Sequence, residues 1–358
     1  MSLNTLASLR LSSEVTPTMP YITRAWYNKI FLDVAEPMLV HDRFGMPTTL
    51  PRNTGEQVMW RRWLKLATNA IPLSEGVTRS GKNLTYENVL ATVKWYGDYV
   101  RITDVVSFMH VDNVLSIATK RLAEQAAETS DEITRDIINA GTSFLRVTAD
   151  GASPTSGVGA RTTVAGTITK RAIETAVTIL EGNDAKFIHP TMGASVKVAT
   201  QPIGPSFVAI CHPHLKNGIR NALSGLGDDF VPIEKYAGGS IAYPSEFGKY
   251  GNVRFVSSTK AKVWPDTGAA TANGPTVAST YRATTATNTA ADVYSVLILA
   301  KHAYGVVKLA GASATYYTPA GGQGDEMHQR SAAAWKMAKT AVILDDDHMV
   351  RIECLATW

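Results

Sequence analysis

Three short stretches carry residues equipped for chemistry, and each lacks something that its chemistry requires. Gly76 to Asn83, GVTRSGKN, matches a phosphate-binding loop through Gly81 and Lys82, where backbone amides and a lysine would cradle phosphates. Asn83 then stands where a Ser or Thr must hold magnesium, and the pattern shows neither a buried strand before the loop nor a helix after it, so a basic ribbon tip is the preferred reading. His212-Pro213-His214 would offer two imidazoles to a metal, with His189 as a third, yet no carboxylate or cysteine follows at a matching spacing. A turn entering a helix is preferred there. Asp345, Asp346 and Asp347 supply hard oxygens without the interleaved ligands and glycine of a calcium loop, and read as a solvated hairpin turn. No Gly-x-Ser-x-Gly elbow, Rossmann glycine pattern or Cys/His nucleophile pair occurs, so no catalytic, cofactor or metal residue is assigned and the chain is not expected to be an enzyme.

A fourth group, Trp60, Arg61, Arg62, Trp63, Trp95 and Tyr96, has another character. Such residues can stack on nucleic-acid bases, anchor a protein interface or form ordinary cross-strand pairs. The elements that position them are two strands. Glu56 to Leu66 alternates, with Val58, Trp60, Leu64 and Leu66 on one face and Met59, Arg61, Trp63 and Lys65 on the other. Val89 to Thr103 is again rich in β-branched and aromatic residues. The polar connection between them contains no further unit, so the pair is expected to form a long ribbon. An isolated ribbon is marginal in water, and another molecule is its natural stabiliser.

Asp112 to Ala140 reads as one uninterrupted helix of roughly 43 Å. Leu115, Ala118, Leu122, Ala126, Ile133 and Ile137 make a narrow apolar stripe, while Lys120, Arg121, Glu124, Glu128, Asp131, Glu132 and Arg135 cover most of the rest. Asp112 or Asn113 would cap its start, and Gly141 would end it in a left-handed conformation. The stripe should pack on a C-terminal hairpin, SAAAWKMAKTAVIL and HMVRIECLA joined at Asp345 to Asp347, in a sheet of its own. Ahead of the ribbon, Ala25 to Leu39 is amphipathic and reads as a docking arm.

After the helix, Thr148 to Gly166 reads as a flexible linker and domain boundary. Thr169 caps a helix from Lys170 closed by Gly182, and the strand Ser206 to Cys211 leads into the helix HPHLKNGIRNAL. With two short strands between Gly238 and Ser258 and the fully apolar strand Val293 to Ala300, these form an α/β unit. The nearly uncharged Ala/Thr/Asn tract before Val293 reads as a loop insertion, and TPAGGQGDEMHQ as a hinge.

The 358 residues allow two or three packed units. Charged residues make up 18%, against about a quarter in ordinary domains, which suits a surface partly covered by something other than water. A formal charge of +4 without a basic tail makes partners selected by charge alone unexpected. Cys211 and Cys354 match no zinc or disulfide framework and are expected to be reduced. With no run of about 18 apolar residues and no signal-peptide core, a soluble protein without membrane contact is expected.

The order of parts, and the phrases WYNKIFLDVAEPML, GEQVMWRRWLKL, WYGDYVRITD, FVAICHPHLKNGIRN, YGNVRFVSS and YSVLILAKHAYGVVKL, resemble the major capsid proteins of tailed bacteriophages. The resemblance is to the Hong Kong 97-like fold in its N4-type branch, and it covers nearly the whole chain. It implies an α+β fold with an N-terminal arm (1–45), an extended β-ribbon or E-loop (46–104), a peripheral domain carrying the spine helix 112–140 (105–168), an axial α/β domain (169–325) and a peripheral return hairpin (326–358). It implies a subunit that assembles into pentamers and hexamers of an icosahedral shell around packaged double-stranded DNA, located in the virion and assembled in the host bacterial cytoplasm. Scaffold, portal and decoration proteins are candidate partners, and contact with DNA is non-specific. Trp60, Arg61, Arg62, Trp63, Trp95 and Tyr96 are then the expected ribbon contacts, and Leu115, Leu122, Ile133 and Ile137 the packing residues of the spine. The other readings are a nucleotide-binding enzyme using Gly76 to Asn83 and a small-oligomer binding module.

Overall fold

Every residue of Val293–Leu299 is buried, and the largest sheet among the described residues is built around that strand. The structure is a computed structural model that describes residues 40–73, 75–76, 78–103, 114–148, 155–156, 159–190, 204–223, 230–236, 243, 245–269, 290–311, 314–318 and 329–357. In chain order the first elements are β1 (Met46–Leu50), β2 (Gln57–Trp63), β3 (Tyr86–Thr92), β4 (Lys94–Thr103) and α1 (Val114–Ile138). There follow β5 (Phe144–Arg146), β6 (Thr155–Ser156), α2 (Lys170–Gly182), β7 (Phe207–Cys211), α3 (Lys216–Leu223) and β8 (Phe230–Pro232). The last are β9 (Glu246–Tyr250), β10 (Val253–Ser257), β11 (Val263–Trp264), β12 (Val293–Leu299), β13 (Tyr304–Leu309), β14 (Ala314–Thr318), β15 (Arg330–Ile343) and β16 (Met349–Leu355).

The larger, nine-stranded sheet runs β6-β5-β16-β12-β7-β10-β9-β8, with β11 on β12. One face packs under α2 and α3, whose Ile173, Leu180, Ile219 and Leu223 join Phe207, Phe255, Val296 and Ile352 in a single core. The other face is covered by Ile138 of α1, Phe44 and Tyr304. Cys211 and Cys354 lie on the strands flanking β12 on either side, so their backbones are at least two strand spacings, about 9.5 Å, apart and beyond disulfide reach. Both are free and buried, and burial pushes the Cys211 thiol up to about 12.

In the smaller sheet, β15 takes β4 along one edge and β13 and β14 end to end along the other, and β1 adds in parallel to β13. Here several expectations change. β15 and β16 do not form a hairpin in a sheet of their own: β15 lies in this smaller sheet and β16 in the larger one, between β12 and β5. The reason is composition, because β16 is buried at all seven positions and needs neighbours on both edges. The expected second ribbon strand, Val89 to Thr103, divides at Val93, since only β3 pairs with β2 while β4 joins β15.

The boundary expected over 148–166 is likewise not a break in packing. β5 and β6 belong to the nine-stranded sheet, and within the described part Val164 is fully buried and Val147 receives backbone bonds from Ala165 and Gly166. The expected arm Ala25 to Leu39, the expected cap at Asp112 or Asn113, and most of the Ala/Thr/Asn tract and of the glycine-rich hinge lie outside the described residues. Gly141 is not left-handed; a Cβ there would collide with Met349 and Asp346. Thr169 does cap α2, accepting from the Ala172 amide at 3.3 Å, and the left-handed residue that closes the helix is Asp184, with φ of 56°. Among the described residues, no helix is long and apolar enough to cross a membrane.

Candidate assembly surface

Strand alternation sends successive ribbon side chains to opposite faces. The register pairs Met59 with Leu90, Trp60 with Val89, Arg61 with Asn88, Arg62 with Glu87 and Trp63 with Tyr86. On the inner face, Val58 and Trp60 pack with Ala91 on Leu50, Val307, Leu309 and Val342 of the chain's own smaller sheet. The Trp60 indole takes the space over Gly305, where a Cβ would lie 2.9 Å from it. Arg62 bonds Glu87 at 2.9 Å and also binds Asp345. On the outer face Met59, Trp63, Tyr86 and Leu90 are 52%, 57%, 48% and 57% exposed. That face is ordered: Trp63 meets Tyr86 edge to face at 5.2 Å, and the Arg61 guanidinium sits 4.3 Å over the Tyr86 ring while donating to Asn88 Oδ1 at 3.1 Å.

In β4, Trp95 is exposed beneath the Lys336 ammonium, 4.4 Å from its ring, whereas Tyr96 points the other way into the core under α1. The six aromatic and basic candidates therefore split. Trp60, Arg62 and Tyr96 are committed to the chain itself, and Arg61, Trp63 and Trp95 face outward. Sequence alternation separates the two faces of the ribbon but carries no mark of which face covers the chain's own sheet.

Of the helix candidates, Leu115 and Leu122 are buried with Ile102, Trp335 and Met337. Ile133 is half-buried beside the same cluster, and Ile137 is half-buried. The stripe thus packs on β15 and β4, and the last turn crosses to the larger sheet through Ile138. Between these two apolar contacts the buried face of α1 is polar, with Ser130, Asp131 and Thr134 shielded from solvent. Asp131, expected on the solvated face, accepts the Val40 and His41 amides at 3.0 and 2.7 Å, and its other oxygen meets His41 Nδ1 at 2.6 Å. Asp42 receives the Lys339 ammonium at 2.6 Å, the Ser130 hydroxyl at 3.1 Å and the Thr134 hydroxyl. Burial opposes ionisation of Asp42, but the Lys339 charge and hydrogen bonds outweigh it and hold this carboxyl below its ordinary value.

The charged side of α1 is also partly used. Lys260 bonds Glu128 at 2.8 Å and Glu132 at 3.4 Å, and Lys262 bonds Asp136 at 2.9 Å. These residues, missed in the sequence, carry one faint signal: Ser130, Asp131 and Thr134 continue the three- and four-residue track from Ala123 and Ala127 to Ile138.

The stretches considered for chemistry are occupied by local structure. Gly76 to Asn83 lies between β2 and β3, a strand rather than a helix follows it, and Arg79 and Lys82 turn back onto Pro72 and Ala67 carbonyls at 2.9 and 2.7 Å. His212 Nδ1 accepts the His214 amide at 3.2 Å, and His214 Nδ1 lies 3.0 Å from the Tyr294 hydroxyl. His189 instead faces Tyr243, and burial followed by the charge of Arg254 lowers its pKa. The three aspartates are not a solvated hairpin turn but the joint between β15 and β16. There Asp345 holds Arg62 and caps a short turn, and Asp346 accepts the Thr142 amide at 2.8 Å. Among the described residues, no group of three His, Cys, Asp or Glu side chains is arranged to hold a metal ion.

Solved structures similar in fold include three phage capsids. The capsid of Ralstonia phage GP4 has a TM-score of 0.62 at 12% identity, over 99% of this chain and 94% of that one. The cyanophage Pam1 capsid asymmetric unit has 0.56 at 13%, over 99% and 98%, and the capsid structure of cyanophage P-SCSP1u 0.55 at 14%, over 88% of each. No curated protein matches the chain. Residues 86–312 match the model of a family described as phage capsid protein. That span covers more than half of the sequence, from the second ribbon strand through α1 and the strands of both sheets to the end of β13, and by it the chain belongs to the phage capsid protein family.

Proposed function

We propose that this protein is a major capsid protein with the Hong Kong 97-like architecture, in its N4-type branch. It assembles through pentamers and hexamers into an icosahedral shell around double-stranded phage DNA. The observation that carries the reading is the family match over residues 86–312. In this reading β2 and β3 are the E-loop, α1 is the spine, and the smaller sheet with α1 is the peripheral domain. The nine-stranded sheet with α2 and α3 is the axial unit.

The outward ribbon face supports assembly by the ribbon. Arg61, Trp63 and Tyr86 form an aromatic and guanidinium cluster, the residue types that dominate protein interfaces, on a ribbon whose other face is already used by its own sheet. Repeated around a closed ring, individually weak contacts add through multivalency. Packaged DNA meets scattered Lys and Arg on the inner surface without base reading. Scaffold, portal and decoration proteins belong to the same reading as further partners, and virion assembly to the host bacterial cytoplasm. The test is negative-stain electron microscopy of the full chain after expression. Rings or closed shells are expected, and a dispersed population of single subunits contradicts the assignment.

A further inference from the structure

Near the β6 and β5 end of the nine-stranded sheet, one carboxylate serves three arginines. Glu353 on β16 is fully buried, and its Oε2 accepts the Nε of Arg146, from β5, at 2.9 Å. Its Oε1 accepts two more: Arg351 Nε at 3.0 Å, and at 3.2 Å the Nε of Arg161, from the short turn Arg161–Thr163. The side chains of Arg146 and Arg351 are shielded from solvent, whereas that of Arg161 is 32% exposed. Two of the three crowd one indole. The Arg161 guanidinium lies 3.9 Å from the centre of the Trp264 ring and that of Arg351 lies 5.7 Å from it.

Two guanidiniums on a single carboxylate oxygen repel each other, in a place where water screens them poorly. Burial, and then the charges of Arg161 and Arg146 working against the pull of Glu353, hold Arg351 below its ordinary pKa. Arg351 gives its Nη1 to the Asn139 and Gly141 carbonyls. Its Nη2 and both terminal nitrogens of Arg161 meet no acceptor among the described residues. Open guanidinium ends are the donors that match the paired oxygens of a phosphate.

We propose that Arg161 and Arg351 hold a phosphate-type oxyanion beside Trp264, with Arg161 at the mouth of the site. The anion relieves the repulsion between the two cations and ties the turn Arg161–Thr163 to β16, so it stabilises the folded subunit. Inorganic phosphate and the phosphodiester of a nucleic acid carry the same group, and the experiment separates these two sources. The site belongs to the single chain and does not depend on assembly.

The test is thermal melting of the full-length protein titrated with sodium phosphate at neutral pH, with ionic strength held constant by sodium chloride. Wild type is expected to gain several degrees along a saturating curve. A general salting effect of phosphate, by contrast, does not saturate and is equal in every variant. Arg161→Gln is expected to lose the saturating part, and Arg161→Lys, which keeps the charge without the fork, to need about tenfold more phosphate for half the shift. The lysine variant decides the matter if the glutamine variant does not fold. Binding of a short labelled double-stranded DNA, read by fluorescence anisotropy, identifies the source. DNA binding that phosphate competes away and Arg161→Lys weakens assigns the site to a nucleic-acid backbone, and a saturating phosphate shift without DNA binding assigns it to the free anion. A wild-type melting temperature that shows no saturating rise, or one that rises identically in Arg161→Gln and Arg161→Lys protein, overturns the site.

Discussion

The buried pair of Asp42 and Lys339 is the residue-scale feature with the clearest energetic consequence. Residues 40–44 tie several parts of the molecule together: His41 and Asp42 bind α1 and β15, the Tyr304 hydroxyl donates to the His41 carbonyl, and Phe44 meets Tyr243 at 4.9 Å. Replacing Lys339 by Met leaves the Asp42 carboxylate buried, and the expected loss is about 3–5 kcal/mol of subunit stability, read from urea unfolding at neutral pH. The pH dependence has a definite sign. Because the folded-state pKa of Asp42 lies below its unfolded value of 3.8, its stabilisation is complete above that value and is lost as pH falls through the lower folded value. Asp42→Asn protein, unfolded in urea across pH 2 to 5, is expected to lack that part of the acid slope; an unchanged slope would show that Asp42 does not carry it.

At the scale of elements, α1 is a beam whose two apolar contacts belong to different sheets, with buried charge between them. Leu122 lies in the first contact and is 4% exposed. Leu122→Asp is expected to cost about 3–5 kcal/mol, seen as a lower melting temperature before any effect on assembly. Trp60→Ala should also lower subunit stability, by about 1–2 kcal/mol for its half-buried indole. Much of this level was legible in the sequence. The helix was readable from its 3.6-residue stripe, the ribbon from alternation and turn residues, and Val293–Leu299 as a central strand from its apolar run. Sheet membership was not, because a fully apolar β16 and a mixed β15 joined by three aspartates look like a hairpin until their partners, far away in sequence, are known. Asp131 escapes sequence reading for a related reason: a carboxylate on a helix is normally solvated, and here the amides of Val40 and His41 and the His41 ring make its burial tolerable.

For the whole molecule, the ribbon divides two roles that share one short strand. Its inner face, through Val58 and Trp60, fastens it to the subunit, and its outer face exposes Arg61 and Trp63, the side proposed above for a neighbour. A fold-only defect and an assembly-only defect should therefore separate cleanly between adjacent residues. The most direct measurement of this account is mass photometry of full-length Trp63→Ala protein beside wild type, with thermal melting of both. The account predicts an unchanged melting temperature together with loss of the large assemblies that wild type forms; Trp63→Ala protein that yields the same assemblies as wild type would contradict it.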